Sequence, residues 1–278
     1  MPVSIFQIVL HIFNREKEYF RRRNYSMNID LSGMNILVTG ASGGIGKAIA
    51  HGLAVSGATV AVHYNHNAEG ANALVHELGH GAQSFQADLS VPEECSRLFS
   101  DVLEKFNTLD VLVNNAGIII SSPLDTPVDR WLEDWDKTLM VNITSVGILC
   151  HAAINHFIDH GGGRIINITS RAAFRGDTPE FLAYTASKGG MVSLSRTIAR
   201  GYGKQNIKSF IVAPGFVRTE MAQPHIDKYG ESFITDDLAL DRLTEPDDVA
   251  STVVFLASGF MDHATGCTID INAGSYVH

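Results

Sequence analysis

The chain has 278 residues, 45% of them hydrophobic and 18% charged, with 25 glycines and a formal net charge of −9. That length and apolar content suffice for one large core and exclude a disordered chain, a collagen and a coiled coil. The acidic balance argues against nucleic acid as the main partner. Cys95, Cys150 and Cys267 stand too far apart for a disulfide framework or a zinc site, so no metal is expected and a reducing cytoplasm is the expected location.

Residues 1–26 differ from the rest. Val3 to Phe13 is apolar but interrupted by Gln7 and His11, too short for a membrane span of about 20 residues. The basic residues Arg15, Lys17, Arg21, Arg22 and Arg23 follow this stretch, the reverse of a signal peptide. The segment reads as an N-terminal extension, either poorly ordered or upstream of a true start at Met27. The functional alternative is a basic amphipathic tether to a membrane surface or a partner. No membrane association is expected of residues 27–278, which read as one domain.

Within that domain, short apolar runs alternate with helical patterns. Strands are expected at Asn35–Thr39, Thr59–Tyr64, Gln83–Ala87, Asp110–Asn114, Arg164–Thr169, Ile207–Ala213 and Thr268–Asn272. Helices are expected from Ile45 to Val55, Ala71 to Leu78, Pro92 to Phe106, Trp131 to His160, Leu182 to Gly203 and Pro246 to Ala257. The alternation predicts an α/β fold, a doubly wound parallel sheet of Rossmann type covered on both faces. Ligands of such sheets bind beyond the carboxyl ends of the strands.

The turn from first strand to first helix reads Thr39-Gly40-Ala41-Ser42-Gly43-Gly44-Ile45-Gly46. Glycines there let the backbone turn sharply and approach a pyrophosphate seated on a helix N-terminus. The plainer reading, an ordinary tight turn, loses ground because of the strand-to-helix position. An acid at the end of the second strand would bind the adenosine ribose of NAD and repel a 2′-phosphate. Here that stretch is His63-Tyr64-Asn65-His66-Asn67, and Glu69 comes too late. NADP(H) is therefore favoured over NAD(H), with Ser42, Asn65 and the histidines as phosphate donors, although no arginine clamp is present.

Tyr184 and Lys188 are spaced i, i+4 and share one helix face. An ammonium beside a phenol favours the phenolate and is expected to lower the tyrosine pKa, which suits Tyr184 to exchange a proton with a carbonyl or alcohol oxygen. Ser170, at the end of the fifth strand, could hydrogen-bond the same oxygen. Asn142 lies inside the long helix, where asparagine is mildly unfavourable.

The glycine loop in the spacing G-x-x-x-G-x-G, the segment Asn114-Asn115-Ala116-Gly117, Asn142, Ser170, Tyr184-x-x-x-Lys188 and Pro214-Gly215 occur in this order over residues 34–274. Together they resemble the classical short-chain dehydrogenase/reductase family. The resemblance implies a catalytic tetrad: Asn142 holds a proton-relay water, Ser170 polarises substrate, Tyr184 is the acid/base, and Lys188 also binds the nicotinamide ribose. It implies cofactor contacts from Gly40, Ser42, Gly44, Ile45, Gly46, Tyr64, Asn65, Asp88 and Leu89 (adenine), Asn115, Ala116, Gly117, Pro214, Gly215, Val217 and Thr219 (carboxamide). A helix N-cap ahead of Pro92 is an additional reading of Asp88.

The family's substrate lid would cover Thr219–Glu245, where Met221, Ile226, Tyr229 and Phe233 alternate with charged residues. Arg171 and Arg175 could grip a substrate anion, or be solvated or paired elsewhere. The chain resembles 3-oxoacyl-thioester reductases of this family, so an acyl-thioester is the leading substrate. Docking an acidic carrier protein would need a basic face, yet no lysine or arginine occurs between Lys137 and Arg164. A sugar, polyol or small keto compound is the alternative substrate, and a non-catalytic nucleotide-binding sensor the alternative class. Relatives imply a homotetramer, with Leu139, Met140, Ile143, Val146, Leu149, Ala153 and Ile154 as surplus apolar surface on the long helix.

Overall fold

The computed structural model describes residues 28–277 except 224, 225, 228 and 229, and leaves the side chain of Phe233 undescribed. The extension over 1–26, Met27, Lys228 and Tyr229 lie outside the described residues.

Seven strands form one parallel sheet: β1 (Asn35–Val38), β2 (Thr59–Tyr64), β3 (Gln83–Gln86), β4 (Val111–Asn114), β5 (Gly163–Ile168), β6 (Ile207–Pro214) and β7 (Thr268–Ile271). Their spatial order is β3-β2-β1-β4-β5-β6-β7, so the winding reverses between β1 and β4. That reversal opens the crevice in which doubly wound sheets bind ligands. Strand side chains alternate between two cores. Val38, Val62, Val113 and Ile168 face one side, where α1 (Gly44–Val55) packs against the last long helix. Leu37, Ala61, Leu112 and Ile165 face the other.

The remaining helices are α2 (Ala68–Leu78), α3 (Pro92–Phe106), α4 (Val128–Leu139), α5 (Ser145–Asp159), α6 (Ala172–Arg175), α7 (Leu182–Tyr202), α8 (Glu231–Thr235) and α9 (Pro246–Ala257). The single long helix expected from Trp131 to His160 starts earlier, at Val128, and is interrupted by a π-helical turn over Met140–Thr144. Such turns concentrate at functional sites, and this one carries Asn142.

Val128–Asp159 is long and apolar enough to cross a membrane by length and composition alone. Its apolar residues are instead core: Val146, Leu149, Ala153, Ile154 and Phe157 are buried with α3 and the sheet. This corrects the expectation that Val146, Leu149, Ala153 and Ile154 form surplus surface. Among the described residues, large apolar side chains left exposed on or near it include Leu124, Val128, Leu132 and Ile158, with Leu182 at the start of α7.

Candidate active site

The nucleotide end is built from backbone. Gly40 and Gly44 have φ of +63° and +50°, the left-handed region that glycine enters without penalty. A Cβ at Gly46 would stand 2.2 Å from the Gly40 carbonyl oxygen and 2.5 Å from Asn115 Nδ2, so only glycine fits where the loop folds over the start of α1. Gly43 caps α1 without any side-chain hydrogen bond, and no acidic residue occupies the first turn. Amide donors at that terminus stay available to a phosphate. Ile45 packs against the core below the loop.

Asn115 and Thr39 lock this loop to β4. The Asn115 amide donates to Thr39 O at 2.9 Å and Gly40 O at 3.2 Å, while Thr39 Oγ1 accepts the backbone N–H groups of Asn115 and Ala116 at 2.9 and 3.0 Å. Thr39 was not singled out from sequence, because a threonine ending a strand carries no chemical signal.

The ribose wall differs from the reading of a row of phosphate donors. His63 points inward, 2% exposed, with Nδ1 accepting from Gly40 N–H at 2.9 Å and Nε2 3.1 Å from Ala87 O. Burial pushes its pKa down to about 4. It is neutral, fully engaged and unavailable to a phosphate. Asn67 caps α2 by accepting from Gly70 N–H and donates to Ser42 O. Tyr64 and Asn65 are half-buried and His66 is exposed at the strand exit, with no carboxylate among them.

Asp88 does not cap α3, whose N-cap is Val91. Its Oδ1 instead accepts from Ser90 N–H and Oγ, bonds that hold its carboxyl below the usual range, while Glu94 accepts its N–H. Asp88 stands three residues before the N-cap, and Ser90 takes its carboxylate oxygen instead of the amides of the first turn. Leu89 beside it is buried.

The catalytic candidates converge beyond β5 and under the π turn. Asn142 Oδ1 accepts from Ile118 N–H at 2.8 Å, and its Nδ2 donates to Ile118 O at 2.9 Å and Ser187 Oγ at 3.1 Å. Both amide hydrogens have protein partners, and the side chain braces the segment after Gly117. Lys188, 4% exposed, donates to Ile168 O at 3.0 Å and lies 5.8 Å from the Tyr184 ring centroid. A Cβ at Gly117 would stand 3.3 Å from both Asn142 Oδ1 and Lys188 Nζ. The space between these groups is thus kept open by that glycine. Ser170 accepts from Ala172 N–H at 3.1 Å, and its hydroxyl acts on the Tyr184 phenol.

The electrostatics depart from expectation. Burial raises the Tyr184 pKa, the Ser170 bond partly opposes it, and Asp177 adds to it. Burial also brings Lys188 itself down to about 8. In this state the phenol holds its proton firmly, the form needed by a proton donor.

The P-G segment closes the groove from the other side. Pro214 ends β6, and Gly215 donates to Ile271 O at a point where a Cβ would stand 2.8 Å from Asn272 Cα. Val217 is buried and bridges to Thr244, and Thr219 Cγ2 lies 3.4 Å from the position of a Cβ at Gly44. The first and last cofactor segments therefore touch. Beyond Thr219 the lid is held by charge. Arg218 bonds Glu231 at 2.6 and 3.0 Å and Glu245 at 2.9 Å. Arg171 and Arg175 both reach Asp237 Oδ2, at 3.2 and 3.0 Å. Of the lid's apolar residues, Ile226 is buried with Ile234 and Leu243, and Met221 is exposed.

Comparison with known proteins shows what the chain is similar to as a whole. A family model described as Enoyl-(Acyl carrier protein) reductase matches residues 40–276. The chain is 37% identical over 243 residues to a 3-oxoacyl-[acyl-carrier-protein] reductase of Synechocystis sp., covering 86% of this chain and 95% of that one. A 7α-hydroxysteroid dehydrogenase solved with NADH and 7-oxo glycochenodeoxycholic acid superposes with a TM-score of 0.82 at 32% identity, covering 89% and 96%. A short chain dehydrogenase from Burkholderia cenocepacia J2315 in complex with NADP gives 0.80 at 35% identity, covering 88% and 98%.

Proposed function

The chain belongs to the short-chain dehydrogenase/reductase family and is an NAD(P)-dependent oxidoreductase of secondary carbonyls and alcohols; on that premise we propose how its own residues divide the work. The observation that carries the reading is the Ser170 hydroxyl acting on Tyr184 beside the buried Lys188, next to the gap kept by Gly117. Ser170 orients the substrate oxygen, and Tyr184, protonated, donates to it. Lys188 sits where its charge steadies the tyrosine after proton loss. Asn142 positions Ile118 and Ser187 and so keeps the pocket wall in place.

The glycine cradle and the uncapped terminus of α1 fit a dinucleotide. Gly40, Ser42, Gly44, Ile45 and Gly46 would hold its pyrophosphate, Tyr64 and Asn65 the adenosine ribose, and Asp88 and Leu89 the adenine. Asn115, Ala116, Gly117, Lys188, Pro214, Gly215, Val217 and Thr219 would line the nicotinamide half. When bound, the nicotinamide supplies or accepts the hydride.

We infer that NADP(H) is preferred, because the exit of β2 offers no carboxylate to repel a 2′-phosphate. The leading substrate is a 3-oxoacyl thioester. A second reading, a sugar, polyol or small keto compound, gains from the missing basic face. Docking could instead use Lys204 or Lys208, but Lys208 is already paired with Asp262 at 3.2 Å. The assembled Ser170–Tyr184–Lys188 group argues against an idle sensor. We infer a cytoplasmic homotetramer. Its support is the exposed apolar group Leu124, Val128, Leu132 and Leu182 together with the buried thiols Cys95 and Cys150.

One experiment tests the whole reading. NADPH and NADH are titrated separately into the protein, then a carbonyl panel is run with and without an acyl thioester. NADPH binding at least about tenfold tighter than NADH, with turnover of the thioester, supports the first form. NADH binding tighter, or turnover of sugar-like substrates only, replaces it with the second. Binding without any turnover returns the sensor.

A further inference from the structure

His63 occupies a place that no part of the reductase reading uses. It lies on β2, the strand between β1 and β3 on this side of the sheet, and on the face shared with Ala61. Strand alternation sends Val60, Val62 and Tyr64 to the α1 side, and Ala61 and His63 to the other. The imidazole therefore sits under the glycine loop with Phe85, Ala87 and Leu89 on the same face.

Its two nitrogens meet two different cofactor segments. Gly40 N–H can only donate, so Nδ1 must be the bare nitrogen; Ala87 O can only accept, so Nε2 must carry the proton. The backbone of the same residue adds a third tie, His63 O accepting from Ala41 N–H at 2.9 Å. Gly40 is the left-handed residue at which β1 turns into the loop. Ala87 immediately precedes Asp88 and Leu89. One neutral ring thus spans the pyrophosphate loop and the adenine wall, in a buried site where an unmade bond would leave a polar group stranded.

We propose that His63 is a positioning residue for the dinucleotide: held as the Nε2–H tautomer, it sets the Gly40 turn against the Asp88–Leu89 wall and thereby sets cofactor affinity. The proposal rests on the reading that this loop binds a nicotinamide dinucleotide. The Gly40 bond carries most of the effect, because Gly40 has a positive φ and no side chain of its own to fix it. The Ala87 bond joins a strand end already paired to Tyr64 O through Ala87 N–H.

Three substitutions separate the two bonds. His63→Asn places an acceptor near the Nδ1 position, His63→Gln places a donor near the Nε2 position, and His63→Leu removes both. NADPH binding, followed by fluorescence titration, is expected to weaken about tenfold in His63→Leu and His63→Gln, and to stay within about threefold in His63→Asn. In steady-state assays the loss falls on KM for the cofactor, with kcat at saturating cofactor changing far less. Nitrogen-15 shifts of the unaltered protein give a second measurement that needs no variant: at pH 7 they are expected to show Nδ1 bare and Nε2 protonated.

An imidazolium or the Nδ1–H tautomer at pH 7 would overturn the proposal. So would equal binding by all three variants, or His63→Asn binding no better than His63→Leu. Failure of the unaltered chain to bind either dinucleotide would sink the reading beneath it as well. Loss of carbonyl turnover alone would leave the binding pattern standing.

Discussion

The two ends of the groove are built from different physics. At the nucleotide end, Thr39, His63 and Asn115 are neutral, with Thr39 and His63 buried, and each joins two segments through backbone hydrogen bonds. At the lid end, Arg171, Arg175, Arg218 and Arg242 hold Asp237, Glu231, Glu245 and Asp248, in contact with water except for the mostly buried Arg171. Buried neutral bonds fix a geometry in advance and are indifferent to salt. Exposed ion pairs contribute about 0–1 kcal/mol each and weaken with ionic strength. One end is therefore a rigid template and the other a cover that opens at low cost, as a substrate lid must.

The comparison is broken most severely at the reacting centre, where neither kind of support can replace a missing proton donor. Tyr184→Phe keeps the ring and removes the hydroxyl. Carbonyl reduction is expected to fall about 10²- to 10⁴-fold in kcat, with NADPH affinity changed less than threefold by the same titration. A variant that binds NADPH but retains a tenth of the rate would remove Tyr184 from the acid role.

Next comes the template itself. Gly46→Ala puts a methyl group 2.2 Å from Gly40 O, where both neighbours are backbone or locked by backbone bonds. The clash must move the loop, at a cost of about 1–3 kcal/mol in stability. NADPH binding is expected to weaken by one to two orders of magnitude. Gly43→Ala, with nothing within 4 Å of a Cβ, is the control and should bind nearly as the unaltered chain does. Equal behaviour of the two would mean that the cradle is softer than its contacts imply.

Much of the template was legible in the sequence because its chemistry is written in local spacing. The glycine loop, Asn115 and Pro214-Gly215 land at strand exits as the alternation requires, the Tyr184–Lys188 pair lies on the first turns of α7, and the two-face sheet follows from the apolar runs. What escaped was long-range pairing. His63 looked like a phosphate donor, since no local pattern reveals that its ring lies between Gly40 and Ala87. Asp88 looked like a helix cap, since Ser90 competes for its carboxylate only once the turn forms. The π turn at Met140–Thr144 was invisible to a helical period, and the apolar residues assigned to an outer face were core because α3 and the sheet claim them. The expected fall in the Tyr184 pKa failed for a similar reason: i, i+4 spacing gives proximity, but burial outweighs it.

Lys188 sharpens the contrast through pH. Its pKa, lowered by burial to about 8, means that the folded chain releases a proton that the unfolded chain keeps to 10.5. Activity and stability should then move in opposite directions above pH 8. The kcat/KM for reduction, which reports the free enzyme, is expected to fall about tenfold per unit as the ammonium is lost. Between pH 8 and 10.5 the unfolded state binds more protons, so this residue's contribution to stability rises with pH, by about 3 kcal/mol across the window. Comparing the unaltered chain with Lys188→Met by chemical denaturation isolates that term; parallel curves for the two would refute it.

The smallest effect belongs to the cover. Asp237 is half exposed and lies between two guanidiniums, whose proximity holds its carboxyl below the usual range. Asp237→Asn removes the charge and leaves an acceptor, so each arginine loses about 0–1 kcal/mol of attraction and the lid loses one point of attachment to the segment after Ser170. KM for the carbonyl substrate should change by no more than about fivefold, with KM for NADPH unmoved. Raising salt from about 0.05 to 0.5 M should produce a shift of the same sign in the unaltered chain and little further change in the variant, because screening and substitution act on the same pairs. A salt response that survives Asp237→Asn in full would place the lid's attachment elsewhere, with the two pairs that Arg218 makes with Glu231 and Glu245 as the next to cut.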